Sequence, residues 1–204
     1  MIAPDVAEAS PASPLPDRAW FDRPALSVAR DLLGARLVHD AADGSVAGTI
    51  VEVEAYAGPE DLAAHSSRGM TARNRVMFGE PGHLYVYLVY GLHHCANVVC
   101  GPGDKPEAVL LRAARIDEGI ELARRRRGAV PDRRLAAGPG NLGRAFGLDR
   151  SHDGLDLLAS PVRVELGAPV TAVRRGPRIG VDYAGEWAAR PYRLWTDGDP
   201  HVSR

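Results

Sequence analysis

Lysine is nearly absent from this chain of 204 residues: Lys105 is the one lysine among 25 Lys and Arg residues. In the turn-like segment "GPGDKP" it is a poor candidate for an amine nucleophile. Arginine's planar fork suits phosphate because it donates two parallel hydrogen bonds, although an arginine bias can equally follow from genomic composition. Cysteine is almost as scarce. Cys95 and Cys100 share the strand-like run "HCANVVC", where a disulfide within one extended strand would be awkward, so reduced thiols are expected. No window approaches the roughly 18 uninterrupted apolar residues of a membrane span, so a soluble protein with no membrane partner is expected. The opening "MIAPDVAEASPASPLPD" has neither a basic start nor an apolar run, and reads as a flexible tail over 1–17 and not a signal peptide. Net charge is -1, which gives no global pull toward nucleic acid and leaves only local distribution to provide one.

A hydrophobic content of 45% suffices for a real core, and one domain over 18–204 is the default at this length. "PALSVARDLLG" predicts a helix opened by Pro24 and closed by Gly34. "ARLVHD" and "VAGTIVEVEAY" predict two strands joined at Asp43-Gly44, a strong hairpin signal. Strict alternation in the second strand sends Thr49, Val51, Val53 and Ala55 to the core. It sends Ile50, Glu52, Glu54 and Tyr56 toward solvent or a cleft. "GPEDLAAHS" has room for one or two helical turns, and "SRGMTARNRVMFGEPGH" is a long polar connection of the kind that carries binding surfaces. "HLYVYLVYGLHHCANVVC" predicts a hairpin turning near "YGLHH", and "EAVLLRAARI" a further strand. Next come a helix over "DEGIELARRRRG", acidic first and basic last, a glycine-punctuated helix in "GPGNLGRAFGL", and short strands in "PVRVELG" and "PYRLWTD". Mixed elements without regular βαβ alternation predict an α+β fold.

Three constellations carry possible chemistry. Glu52 and Glu54, at i and i+2, lie about 7 Å apart along one strand face. That pair suits acid and base work on a glycosidic bond, or is simply a solvated face. Tyr56, Tyr85, Tyr87 and Tyr90 outnumber the three phenylalanines of the whole chain; they would stack on unpaired bases, or they serve strand packing. His65, His93 and His94 match no metal-ligand spacing, and adjacent histidines on a strand point to opposite faces, so no metal is expected. The arginines at 124–127 end a helix, where they complement its dipole and can be solvated, with a role on DNA phosphate as the alternative.

Taken together, "VEAYAGPEDLAAH", "TARNRVMFGEPGHLYVYLVYGLHHCANVVC", "AVLLRA", "AGPGNLGRAFGL" and "PRIGVDYAGEWAARPYRLW" resemble the alkyladenine, or 3-methyladenine, DNA glycosylase family, in the same order from 32 to 195. The resemblance implies a single mixed domain with a curved antiparallel sheet, a protruding hairpin and flanking helices, like the C-terminal domain of formyltransferases. It implies a monofunctional, cofactor-free repair enzyme, cytoplasmic and nucleoid-associated if bacterial; a monomer is the default. Its partner would be double-stranded DNA containing damaged purines: 3-methyladenine, 7-methylguanine, hypoxanthine or ethenoadenine. Glu54 matches the glutamate that activates water; Tyr56, His65 and Tyr87 match the walls of the flipped-base pocket, Asn97 its floor, and Arg112 an arginine beside the catalytic centre. Tyr90 matches the wedge that fills the gap in the duplex, and Leu92, Arg73 and Arg75 fall on DNA-contacting segments. Val53, Ala72, Asn141 and Tyr183 depart from residues common in the family: threonine, proline, lysine and histidine. Asn141 puts one DNA-phosphate contact in doubt, for which Arg144 would compensate.

Overall fold

A computed structural model describes residues 14–203. Of the segment 1–17, residues 1–13 lie outside those described. Pro14 accepts a backbone hydrogen bond from Leu166, and the Asp17 carboxylate caps helix α1 (Arg18–Phe21) by accepting the Trp20 N–H at 2.9 Å. Helix α2 (Ala25–Leu32) follows Pro24 directly, and buries Ala25, Val28, Ala29 and Leu32, one stripe at helical spacing. Pro24 offers no side-chain cap. The buried carboxylate of Glu107 accepts the Ala25 N–H instead, at 2.5 Å.

The remaining elements are β1 (Arg36–Ala41), β2 (Gly44–Tyr56), β3 (Leu84–Val89), β4 (His93–Cys100), β5 (Glu107–Glu118), α3 (Ile120–Arg127), α4 (Pro139–Phe146), β6 (Val162–Glu165), β7 (Val173–Gly176) and β8 (Arg193–Thr196). The predicted α+β class is what forms: one antiparallel sheet of eight strands, ordered β3-β4-β5-β2-β1-β6, with β8 joining β2 and β7 joining β8. Strand β2 organises it. One edge pairs with β5 along most of its length; on the other, its first half pairs with β1 and its second, from Glu52 to Glu54, with β8.

Two expectations about local structure need correcting. Asp117 and Glu118 do not open α3. They extend β5, with Glu118 opposite Ala47, and Gly119 then turns the chain at φ 72° where a Cβ would meet the Ser45 carbonyl at 2.1 Å. In β2 the alternation is broken by a bulge near Val51. The extra residue switches parity, so Ile50 joins Val53 and Ala55 in the core and does not share a face with the glutamates. Strand β7, "VRRG", lacks an apolar alternation, and nothing in its pattern announces it.

The sheet sorts side chains by parity. Val53 and Ala55 of β2, Leu84 and Val86 of β3, Ala96 and Val98 of β4, and Val109 and Leu111 of β5 all enter the main core, under Val28 and Leu32 of α2 and Leu142 and Phe146 of α4. The intervening residues face the other side of the sheet: Glu52, Glu54 and Tyr56; Tyr85 and Tyr87; Cys95 and Asn97; Leu110 and Arg112. Both faces are covered, and for that reason Glu52 and Glu54 are fully buried where an exposed face was an open alternative. Helix α4 lies directly on β4 because Gly143 has no side chain; a Cβ there would sit 2.3 Å from the His94 carbonyl oxygen. Gly143→Ala is therefore expected to cost about 1 to 3 kcal/mol, the usual range for overpacking. Urea unfolding checks it, and an unchanged midpoint would mean that the helix can lift without loss.

Candidate active site

On the face away from the helices, the ends of β2, β3, β4 and β5 form the floor of a cavity of about 330 Å³. Loops 57–74 and 178–183 wall it. Glu54, Tyr56, His65, Tyr87, Asn97 and Arg112 all line it, so the structure brings together the six residues that sequence places at the base pocket. They come from four strands and a 3-10 turn at His65–Arg68. Sheet parity is what gathers them.

Glu54 is held from three sides. Its Oε1 accepts the Ile179 backbone N–H at 2.8 Å and faces an Arg112 terminal nitrogen at 3.1 Å; its Oε2 accepts the Tyr56 hydroxyl at 3.0 Å. A carboxylate has about four lone-pair directions. Two accept hydrogen bonds, the Arg112 charge faces Oε1 as an ion-pair partner, and one direction on Oε2 has no protein donor among the described residues. Burial, then the Glu54 charge, pushes the Tyr56 hydroxyl well above its ordinary range, so that proton stays on tyrosine. Burial works against the charge of Arg112, but the charges of Glu54 and Glu52 outweigh it and hold the guanidinium above its usual value.

The walls are aromatic. His65 meets Tyr87 edge-on, ring centres 4.6 Å apart, and its Nδ1 shares a hydrogen bond of 2.9 Å with the Tyr85 hydroxyl, which fixes the ring plane whichever nitrogen carries the proton. Burial, helped by the charge of Arg73, lowers the His65 pKa and favours the neutral ring. Burial also raises the Tyr85 hydroxyl to about 12 and Cys95 to about 11. Cys95 and Cys100 are free thiols, in accord with their scarcity and spacing. Asn97 is fixed by its Nδ2 donating to the Tyr85 carbonyl at 3.0 Å. Behind Tyr56, the Arg178 guanidinium stacks 4.7 Å from the ring centre and is paired with Asp61.

The β3-β4 hairpin rises beside the cavity mouth. At its tip Tyr90 is 91% exposed and adopts φ 50°, a left-handed conformation that costs a non-glycine residue about 1 kcal/mol or more, and Leu92 is exposed beside it. Arg73 lies 5.1 Å from the Tyr87 ring centre and donates to the Leu88 carbonyl, so it braces the hairpin at the rim; Arg75 is exposed on the turn Arg75–Phe78. Among the arginines at 124–127, the half-exposed Arg124 pairs with Glu121 and Asp132, and Arg126, largely buried, pairs with Asp43. Arg127, Arg133 and Arg134 share a shallow groove with Asn141, whose Nδ2 turns back to the Ala137 carbonyl. Lys105 pairs with Glu107 and Glu60 and does not line the cavity.

The sequence profile of the methylpurine-DNA glycosylase family matches residues 19–200. A candidate 3-methyladenine DNA glycosylase of Streptomyces avermitilis is 51% identical over 192 residues, covering 91% of this chain and 89% of its own. A second, of Methanocella arvoryzae, is 49% identical over 94% of this chain and 96% of its own, and a third, of Myxococcus xanthus, is 47% identical over 91% and 92%. The chain belongs to the methylpurine-DNA glycosylase family. It is accordingly a DNA glycosylase, a DNA-binding hydrolase of base-excision repair. Within the described residues no helix is long and apolar enough to cross a membrane. Several groups that hold this candidate site were not singled out from sequence: Arg178 with Asp61, Arg193, Ser203, and the Ile179 N–H. The last is a backbone donor. No side-chain pattern can announce it.

Proposed function

We propose that the chain removes damaged purines from duplex DNA by simple hydrolysis, with Glu54 taking a proton from the attacking water. One observation carries this reading: a buried carboxylate fixed by two hydrogen bonds and an ion pair, with one direction of Oε2 left, on the floor of an aromatic-walled cavity. As the glycosidic bond breaks, positive charge grows on the sugar. The same carboxylate that takes the water's proton also stabilises that charge. Tyr56, Tyr87 and His65 offer ring faces and edges to a flipped base, at about 1 to 3 kcal/mol per stacked base. Cationic purines such as 3-methyladenine and 7-methylguanine gain a cation–π attraction in addition. Neutral lesions such as hypoxanthine and ethenoadenine leave less readily and need more from the site. The fixed amide of Asn97 at the floor would oppose the 2-amino group of undamaged guanine. The test is single-turnover release of base from duplexes carrying 7-methylguanine, hypoxanthine or ethenoadenine. Release from at least one is expected; none from any, with binding intact, would replace the enzyme by a silent damage-binding module.

Duplex DNA would lie across the hairpin tip, with Tyr90 and Leu92 entering the stack and Arg73 and Arg75 at the rim. The groove of Arg127, Arg133 and Arg134 supplies phosphate contacts that Asn141 does not. Unstacking costs a few kcal/mol, least where pairing is already poor. Tyr90→Ala is therefore expected to slow hypoxanthine release by about tenfold when the lesion is stably paired, and by less in a mispaired duplex. Equal slowing in both contexts would remove the wedge role.

A further inference from the structure

Glu52 does not line the cavity, yet it is fully buried and bonded on both oxygens. Its Oε1 accepts Arg112 Nε at 3.0 Å, Arg193 Nε at 2.6 Å and the Ser203 hydroxyl at 2.9 Å, and its Oε2 accepts the Ser203 N–H at 2.7 Å. Arg193 also donates to the Ser203 carbonyl at 3.1 Å, and the remaining Arg112 nitrogen donates to the Ser203 hydroxyl at 3.3 Å. Two carboxylates and two guanidinium groups thus form one buried, charge-balanced cluster across β2, β5, β8 and the segment 199–203. Of its two carboxylates, Glu54 lines the cavity and Glu52 does not.

The fork of Arg112 is what makes this arrangement matter. Guanidinium groups favour a bidentate grip on a carboxylate. Here Glu52 accepts from Nε and Ser203 accepts from one terminal nitrogen, while the other terminal nitrogen faces Oε1 of Glu54 at 3.1 Å as an ion pair and no Arg112 N–H is hydrogen-bonded to Oε2. A bidentate grip on Glu54 would fill the last lone pair of Oε2 and weaken the carboxylate as a base. We propose that Glu52, with Arg193 and Ser203, is a positioning unit that confines Arg112 to one oxygen of Glu54 and so leaves the second free for the water. This inference rests on the hydrolytic reading of Glu54.

A double-mutant cycle between Glu52 and Arg112 tests it, read as single-turnover release rate against affinity for lesion-containing duplex, with the melting temperature of each variant alongside. Glu52→Gln is expected to slow release by about a hundredfold while affinity changes by less than about threefold, because the defect lies in the base and not in the pocket. In an Arg112→Met background, where no fork remains to be confined, the same substitution is expected to slow release by less than about threefold. Rate costs that simply multiply, or a wild-type rate for Glu52→Gln, would overturn the positioning role. Should Glu52→Gln not fold, Ser203→Ala removes only the hydroxyl shared by Glu52 and Arg112, and a rate within about twofold of wild type would overturn the proposal equally. Release by wild type and not by Glu54→Gln keeps the two readings separable. Absence of release from wild type overturns both.

Discussion

Glu54→Gln is expected to lower single-turnover base release by about a thousandfold or more, while binding of the same lesion duplex changes by no more than a few fold. The magnitude combines two losses. General-base assistance is typically worth about a hundredfold to ten-thousandfold, and a fixed charge beside a developing cation contributes a comparable amount. The amide keeps the shape of the acid: its oxygen can accept from Ile179 N–H and Arg112, and the Tyr56 hydroxyl can rotate to accept from the new NH2 group. Stacking in the cavity is untouched, so the lesion should still be captured. Arg112 then shares only Glu52 as a carboxylate partner, and the substitution should lower the melting temperature somewhat. Release within tenfold of wild type would mean that Glu54 is not the base, and that water is delivered from another side of the cavity.

What sequence discloses here follows from period and chemistry. Alternation over β3 and β4 placed Tyr85 and Tyr87 on one face, and the Tyr90-Gly91 turn placed Tyr90 at the tip, because strand parity needs no tertiary information. The pair Glu52 and Glu54 was visible as a question and not as an answer. A solvated face and a buried cluster share the same pattern, and what decides between them is Arg112, sixty residues on in β5, with Arg193 and Ser203 further still. The bulge at Val51 was invisible because it depends on the register with β5, and register is a property of two strands. Glu118 shows the same limit: acidic residues before an apolar run look like a helix start, but pairing with Ala47 claims them for the sheet.

The second large effect concerns stability, through a pair that no motif revealed. Asp61 and Arg178 have no exposed side-chain surface and meet through two contacts, of 2.5 and 2.8 Å. Asp61 also accepts the Ala57 and Ala63 N–H groups, and Arg178 donates to the carbonyls of Ala55 and Trp187 while stacking between Tyr56 and Tyr192. Asp61→Ala leaves the guanidinium uncompensated and two N–H groups orphaned, which predicts a loss of about 3 to 5 kcal/mol, a large share of the roughly 5 to 15 kcal/mol that holds a domain together. For a chain of this size that is a fall in melting temperature on the order of 10 °C. Calorimetry checks it, and a fall of only a degree or two would mean that Arg178 finds water when its partner is lost. Activity should fall by more than the folded fraction, because Arg178 immediately precedes Ile179, whose N–H holds Glu54, and Asp61 anchors the segment that carries His65. Replacing both charges, with Asp61→Leu and Arg178→Met, should recover only part of the stability: an apolar pair needs no desolvation, but the Ala57 and Ala63 N–H groups and the Ala55 and Trp187 carbonyls lose their partners. It should not recover the rate, because the two loops would then be joined by packing alone and the Ile179 N–H would no longer be fixed against Glu54.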